Sequence, residues 1–556
     1  MPNLSIDRPN YLARWGYLKT ERSSWFSHWN EISTRLMPRA GRFFVQDRNK
    51  GNKRHNQIYD SSATQALSIL AAGMMSGMTS PARPWFRLTT GDDDLDSYQP
   101  VKIWLDQVTR LMLKIFQGSN TYRALHSMYE ELGGFGTAAS IMVPDFRSVI
   151  HHHPLTAGEY AITTDWRGDV ATLYREFQKT VGQIVKEFGY KACSPTVQNL
   201  YDRGNLEAWV TIIHAIEPRA DRDPSKNDPQ NMAWKSVYFE IGGNQQHCLR
   251  ESGFKRFPAL VPRWVVRGGD IYGESPAMTA LGDINQLQHQ QLRKAQGIDY
   301  KTRPPLQAPT SMKNRDVEML PGGITYVDSA NPHGGIRSAF EVNIDLQHLL
   351  GDIRDVRERI RSCFFADLFM MLANQTDARM TATEVAERHE EKLLMLGPVL
   401  ERLQNELLDP LIENTFDAIM EAGIAPPAPD ELQGRPLNVD LIGMLAQAQR
   451  AVGTNSIDRF VGNLGAVAQF KPEVLDRFDS DRWAEVYSDS LSLDPQIIVP
   501  RDQAQAIREQ RAQAQAQAQQ AALAEQQAST AQKLASAKTD QPNALTDATR
   551  AFQGYS

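Results

Sequence analysis

Tyr11, Trp15, Leu18, Trp25, Trp29, Ile32 and Leu36 recur at steps of three, four or seven, the spacing of an amphipathic helix that Pro38 ends. A second helix is predicted over 61–78, rich in Ala and Met, with Leu67, Leu70 and Met74 on one side and Pro81 just beyond it. Further helices are predicted over 101–116 and 122–132. From Glu159 the period turns from helical to extended. Segments 159–165 and 169–177, joined at Trp166, Arg167 and Gly168, predict a hairpin, and Thr180 caps a short helix over 181–188 that Gly189 closes. β-Branched and aromatic runs at 209–216 and 235–241 predict strands separated by a polar linker over 220–230, and 257–266 leads back into helical pattern.

The most regular stretch runs from Gly273 to Gly423. Ser275 and Pro276 open a helix whose apolar positions are Leu281, Ile284, Leu287, Leu292, Ala295 and Ile298. The insert from Lys301 to Val342 is too dense in Pro and Gly for a helix and is predicted as turns and short strands. Leu346, Leu349, Ile353, Val356, Ile360 and Phe364 then form one apolar stripe, with Asp352, Arg354, Asp355, Arg357, Glu358, Arg359 and Arg361 around the rest of the surface. After a polar break over 374–379, Thr381 and Glu384 make a capping box for a third helix with Leu393, Leu396, Leu400, Leu403 and Leu407 as its seam. Pro398 and Pro410 are expected to bend or divide it. Beyond the boundary at 425–429, short helices are predicted over 439–451, 456–468, 472–478 and 481–487. From Arg501 the chain turns to Ala and Gln, which is either disordered or a helix supported by parallel copies of itself. The fold class is therefore mostly α, with an α+β part in the N-terminal half.

Composition narrows the chemistry. A chain of 556 residues can bury a sizeable core without staples, and Cys193, Cys248 and Cys363 are too few and too scattered for a disulfide framework or a metal knuckle. The N-terminus shows no basic-then-apolar leader, and no run reaches the ~18 apolar residues of a membrane span, so secretion and membrane insertion are not expected. A net charge of −6 argues against a surface that grips nucleic acid throughout. The basic cluster Arg35, Arg39, Arg42, Arg48, Lys50, Lys53 and Arg54 reads either as a solvated loop or as a contact for DNA or an acidic neighbour.

The candidate catalytic and metal motifs fail on their chemistry. Gly133, Gly134, Phe135, Gly136 and Thr137 superficially match a phosphate-binding loop, yet the chain has no Gly-Lys pair, so the glycines are expected to permit close backbone packing. His151, His152 and His153 sit on an extended segment whose successive side chains point to opposite faces, so they cannot converge on one ion. Asp92, Asp93, Asp94 and Asp96 lack the remaining positions of a calcium loop. Neither a nucleophile elbow, a zinc-binding His-Glu pair nor a dinucleotide loop stands in the required context. No enzyme, no cofactor and no metal are expected.

The order of parts resembles the portal proteins of tailed bacteriophages, in particular the head-to-tail connector of short-tailed phages. The residues that carry it are Gln57 to Asp60 with Leu70, Ala71 and Ala72; Pro84, Trp85 and Phe86; Leu132 to Thr137; Tyr272 to Pro276; Cys363 to Phe369; and Thr381 to Arg388. The resemblance implies a wing over 1–272, a first stem helix over 273–301, a clip over 302–343, a second stem helix over 344–370, a tunnel loop over 371–380, a long kinked wing helix over 381–423, a helical crown over 424–500, and a tail over 501–556. It implies a ring, usually of twelve subunits, through which double-stranded DNA passes without sequence being read. Asn374, Gln375, Thr376, Asp377 and Arg379 would face DNA in the tunnel loop, and Arg354, Arg357, Arg361, Gln288 and Gln291 in the stem. Lys313, Arg315, Asp316 and Glu318 would dock the motor and adaptor at the clip. The implied partners are the terminase large subunit, a tail adaptor, and the major capsid and scaffolding proteins. The implied place is one capsid vertex of a virion assembled in the host cytoplasm. Another ring-shaped virion component and an unrecognised hydrolase are the competing readings.

Overall fold

The computed structural model describes residues 8–43, 57–303 except 93–94, 97, 224, 227 and 243–247, then 306–307, 313, 337–338, 346–373, 395–432, 437–443, 445, 460–468 and 501–535, with isolated residues between 470 and 499. It divides into two units, residues 1–461 and 462–556, each described by itself.

Helix α1 (Arg8–Arg35) serves two cores. Tyr11, Trp15 and Leu18 pack on a sheet, whereas Trp29 and Ile32, with Leu36 just beyond the helix, enter the larger core. That sheet is antiparallel throughout, ordered β4 (Tyr160–Thr164), β5 (Val170–Thr180), β6 (Trp209–Pro218), β7 (Trp234–Glu240), β8 (Arg250–Phe254). Strand alternation puts Tyr174, Ile213, Ala215, Val237 and Phe239 under α1. On the opposite face Ile212 and Tyr238 lie beneath α5 (Val181–Phe188) and α6 (Pro195–Asp202), which supply Val181, Ile184 and Val197. The predicted cap is present: Thr180 Oγ1 accepts from the Gln183 N–H, Gln183 Oε1 accepts from the Thr180 N–H, and Gly189 follows at the end. The wing sheet is thus a filled three-layer sandwich.

The larger core is organised around α2 (Ser62–Met78), with α3 (Gln99–Gly118) and α4 (Thr121–Phe135) beside it. The extended segment of His151–His153 is one strand of a hairpin, β2 (Ala139–Asp145) with β3 (Val149–Leu155), and β9 (Ala259–Leu260) joins it against this core. On β3, His152 is buried while the rings of His151 and His153 lie together at 4.9 Å, as alternation requires. Burial pushes the His152 imidazole down to about 4.

Three expectations are corrected. The stripe read as one helix to residue 370 ends as α8 (Leu346–Cys363); Phe365 adopts φ +52° and α9 (Ala366–Ala373) turns away to pack on α2. Residues 439–441, read as the start of a helix, belong to strand β12 (Asn438–Leu441), which pairs antiparallel with β1 (Phe86–Thr89). The third long helix is divided, but by a π turn, Gln404–Leu408, lying between the helical residues 395–403 and α10 (Asp409–Glu421). Pro410, lacking an N–H to continue the ladder, sits just beyond that turn. The capping box Thr381–Glu384 and most of the predicted short helices of 446–498 lie outside the described residues. In the second unit, Arg501–Ala535 forms a helix, α11, whose described side chains are almost all exposed within the single chain.

Candidate functional site

The helix after Ser275 begins where the sequence predicts. Ser275 Oγ accepts from the Met278 N–H and donates to the Gly134 carbonyl, with Pro276 at the first turn of α7 (Pro276–Thr302). Ala277, Ala280, Ile284 and Leu287 of α7 and Ile353, Val356 and Ile360 of α8 are buried in one core. Each of the Ile, Leu and Val side chains contributes about 1.5–3 kcal/mol when removed from water. The two helices run antiparallel, with Arg359 donating to Asp283 Oδ1 at 3.0 Å and, one to two turns along, Gln290 donating to Asp352. Higher still, β10 (Leu306–Gln307) pairs antiparallel with β11 (Arg337–Ser338), so the chain climbs one pillar and returns down the other.

Three of the sequence-predicted stem residues converge on Asp60: Gln288 on its backbone, and Gln291 and Arg357 on its carboxylate. Gln288 is buried; its Oε1 accepts from the N–H groups of Tyr59 (2.6 Å) and Asp60 (2.9 Å), and its Nε2 donates to the Asp60 carbonyl. Gln291 donates to Asp60 Oδ2 at 2.8 Å, and Arg357 donates to the same oxygen at 2.7 Å and 3.1 Å. Burial pushes the Asp60 carboxyl up, but hydrogen bonds from Ser62 and Arg357 outweigh it and hold the acid below its usual range. The expectation that Gln288 faces a bore is therefore corrected: its amide is fully engaged in fixing the turn that leads into α2. Asp60 is the residue that sequence reasoning missed, because nothing local marks a partner some 230 positions away.

Arg354 and Arg361 remain at the surface. Together with Arg357 and Glu358 they face Ser62, Gln65, Ala66 and Ile69 of α2 across a recess of about 330 Å³. Arg361 donates to Asp367 at 3.3 Å, whereas Arg354 has no ion pair among the described residues. Of the residues expected to dock the motor and adaptor, Lys313 lies exposed in a turn, and Arg315, Asp316 and Glu318 are outside the described residues. So are Asn374, Gln375, Thr376, Asp377 and Arg379.

The phosphate-loop look-alike does a packing job. Gly136 closes α4 with φ +78°, and a Cβ there would lie 2.0 Å from the Gly273 carbonyl oxygen, just as one on Gly273 would meet the Gly136 oxygen at 2.3 Å. The two backbones touch just before α7 begins. Among the described residues no set of three or more His, Cys, Asp or Glu side chains is placed to hold a metal ion, and no helix is long and apolar enough to cross a membrane.

The sequence profile of the family described as "Bacteriophage head to tail connecting protein" matches residues 8–499. The chain is 68% identical to the "Probable portal protein" of Bordetella phage BPP-1 over 550 residues, 99% of each chain. It is 45% identical to the "Portal protein" of Salmonella phage epsilon15 over 546 residues, 98% of each. A solved chain from the neck of an empty gene transfer agent particle covers 80% of this chain and 95% of its own length at 12% identity, with a TM-score of 0.38. On the profile match and the two full-length relatives, the chain belongs to the bacteriophage head to tail connecting proteins.

Proposed function

We propose that this chain is a portal subunit: copies of it form a ring, of twelve by family resemblance, at one vertex of a phage capsid, and double-stranded DNA enters and leaves through the bore. The observation that carries this reading is the antiparallel α7–α8 hairpin crowned by the β10–β11 pair, in a chain whose relatives match it along their whole length. A helix of 27 residues such as α7 spans about 40 Å at ~1.5 Å per residue, enough to form the wall of a channel when repeated around an axis.

In this reading the tunnel-loop residues Asn374, Gln375, Thr376, Asp377 and Arg379 meet the phosphate backbone, without reading sequence. The clip, with Lys313, Arg315, Asp316 and Glu318, docks the terminase large subunit and later the tail adaptor. Capsid and scaffolding proteins meet the outer ring during assembly in the host cytoplasm. The mild acidity of the chain suits a conduit, because a lining dominated by arginine would hold DNA through counterion release instead of letting it slide. ATP hydrolysis belongs to the motor, and the chain serves as conduit, docking ring and assembly nucleus. Negative-stain electron microscopy of the purified chain tests the reading: rings with a central pore are expected, and discrete small particles at all concentrations would overturn it.

A further inference from the structure

Helix α8 carries different charge on its two flanks. Ile353, Val356 and Ile360 are buried and fix its inner face. On one flank Arg354, Arg357 and Arg361, spaced at helical steps, line the recess against α2. On the other, Asp352 and Asp355 stand near Arg359, whose guanidinium is held by Asp283. Arg357 and Arg361 already have carboxylates from their own chain, Asp60 and Asp367. Among the described residues Arg354 has none, and Glu358, which borders the recess, forms no ion pair with any of the three. Across the helix Asp352 accepts from the neutral amide of Gln290, and among the described residues neither Asp352 nor Asp355 forms an ion pair.

A closed ring repeats one head-to-tail contact, so the two surfaces that meet are different parts of the same chain and must complement each other. A helix with a cation on one flank and acids on the other, none of them in an ion pair among the described residues, meets that requirement. We infer that, within the ring proposed above and resting on that reading, the α2–α8 recess of one copy receives the Asp352 and Asp355 flank of the next, with Arg354 and the neighbouring Asp355 as ion-pair partners. DNA phosphate is the less suitable occupant. The recess is lined by Ala66 and Ile69 and bordered by Glu358, so beside its arginines it offers a phosphate an apolar wall and a like charge.

The test is a charge swap in the full chain, read by sedimentation and electron microscopy as the concentration at which half the protein is in rings. Arg354→Glu and Asp355→Arg should each raise that concentration about tenfold or more, because like charges then face each other at every subunit boundary. The double variant should return to within about threefold of the unmodified chain, since the pair is restored in reverse. Circular dichroism of each variant should match the parent, showing that the subunit itself is folded. Rings formed equally well by both single variants would overturn the inference, and if DNA packaging then fell, phosphate would be the partner of Arg354. Loss of rings in the singles without recovery in the double would overturn the pairing as well. If the unmodified chain forms no ring at all, the portal reading fails first and takes this inference with it.

Discussion

Glu131 shows how one side chain couples the fold to pH. It is buried in α4, where its Oε1 accepts from the Thr156 hydroxyl at 2.5 Å and its Oε2 from the Ala157 N–H at 3.1 Å. Burial pushes its carboxyl up to about 8; those two hydrogen bonds pull against this, and Glu159 and Glu130 add to it. Thr156 Oγ1 also accepts from the Gly41 N–H, and the Arg42 N–H donates to the Ala157 carbonyl, so the segment after α1 is pinned to the same turn. Between the ordinary glutamate range and about pH 8 the native chain keeps a proton that the unfolded chain has released. Each rise in pH within that window therefore favours unfolding, and above it the effect is constant. Glu131→Gln removes the titration. Melting curves from pH 5 to 8.5 should show the variant gaining on the parent by ~1.4 kcal/mol per pH unit within the window. A constant difference across that range would mean that Glu131 is ionised in the folded chain.

Among the elements, α2 decides how α9 seats on the larger core, and it does so with a notch. A Cβ on Gly73 would lie 2.2–2.4 Å from Cγ, Cδ1 and Cβ of Phe369, so α9 packs against the bare backbone of α2. The obstructing atoms are those nearest the α9 backbone, and relief would require moving the helix. Gly73→Ala should therefore destabilise by about 1–3 kcal/mol through overpacking, although Ala is the better helix former by about 1 kcal/mol. Adding Phe369→Leu should cost less in the Gly73→Ala background than in the parent, a coupling measurable by urea denaturation of the four chains. This notch was invisible in the sequence, whereas the stripes that surround it were legible. Leu67, Leu70 and Met74, or Ile353, Val356 and Ile360, repeat at the helical period and are buried. Caps at Ser275 and Thr180 were legible because their partners stand three residues on. The β1–β12 pair was not, since Phe86 meets Leu441 from the far end of the chain and four residues carry too little period to mark a strand. Nor was the break at Phe365, where an apolar run continues unchanged through a left-handed residue. In the candidate site the charges of α8 could be read from spacing, but their surroundings depend on where α2 and Asp60 lie, which is a tertiary fact.

At the scale of the molecule, the pillars and the tip should be separable. α7 and α8 are joined along their length by buried aliphatic contacts and by the Asp283–Arg359 and Gln290–Asp352 pairs, all of which lie outside 302–343. The pairing of Leu306 with Ser338 brings the chain together again above them, so the two helix ends are close enough for a short flexible bridge. Replacing 302–343 by about four Gly and Ser residues should leave the wing core, the Asp60 node and ring formation intact. The same chain should fail to bind the packaging motor, because the surface proposed for docking, with Lys313, is gone. Electron microscopy for the ring and an in vitro packaging assay for the motor read the two consequences independently. Rings that still package DNA would remove the clip from the motor interface, whereas loss of rings would mean that the tip, and not the pillars, holds neighbouring subunits together.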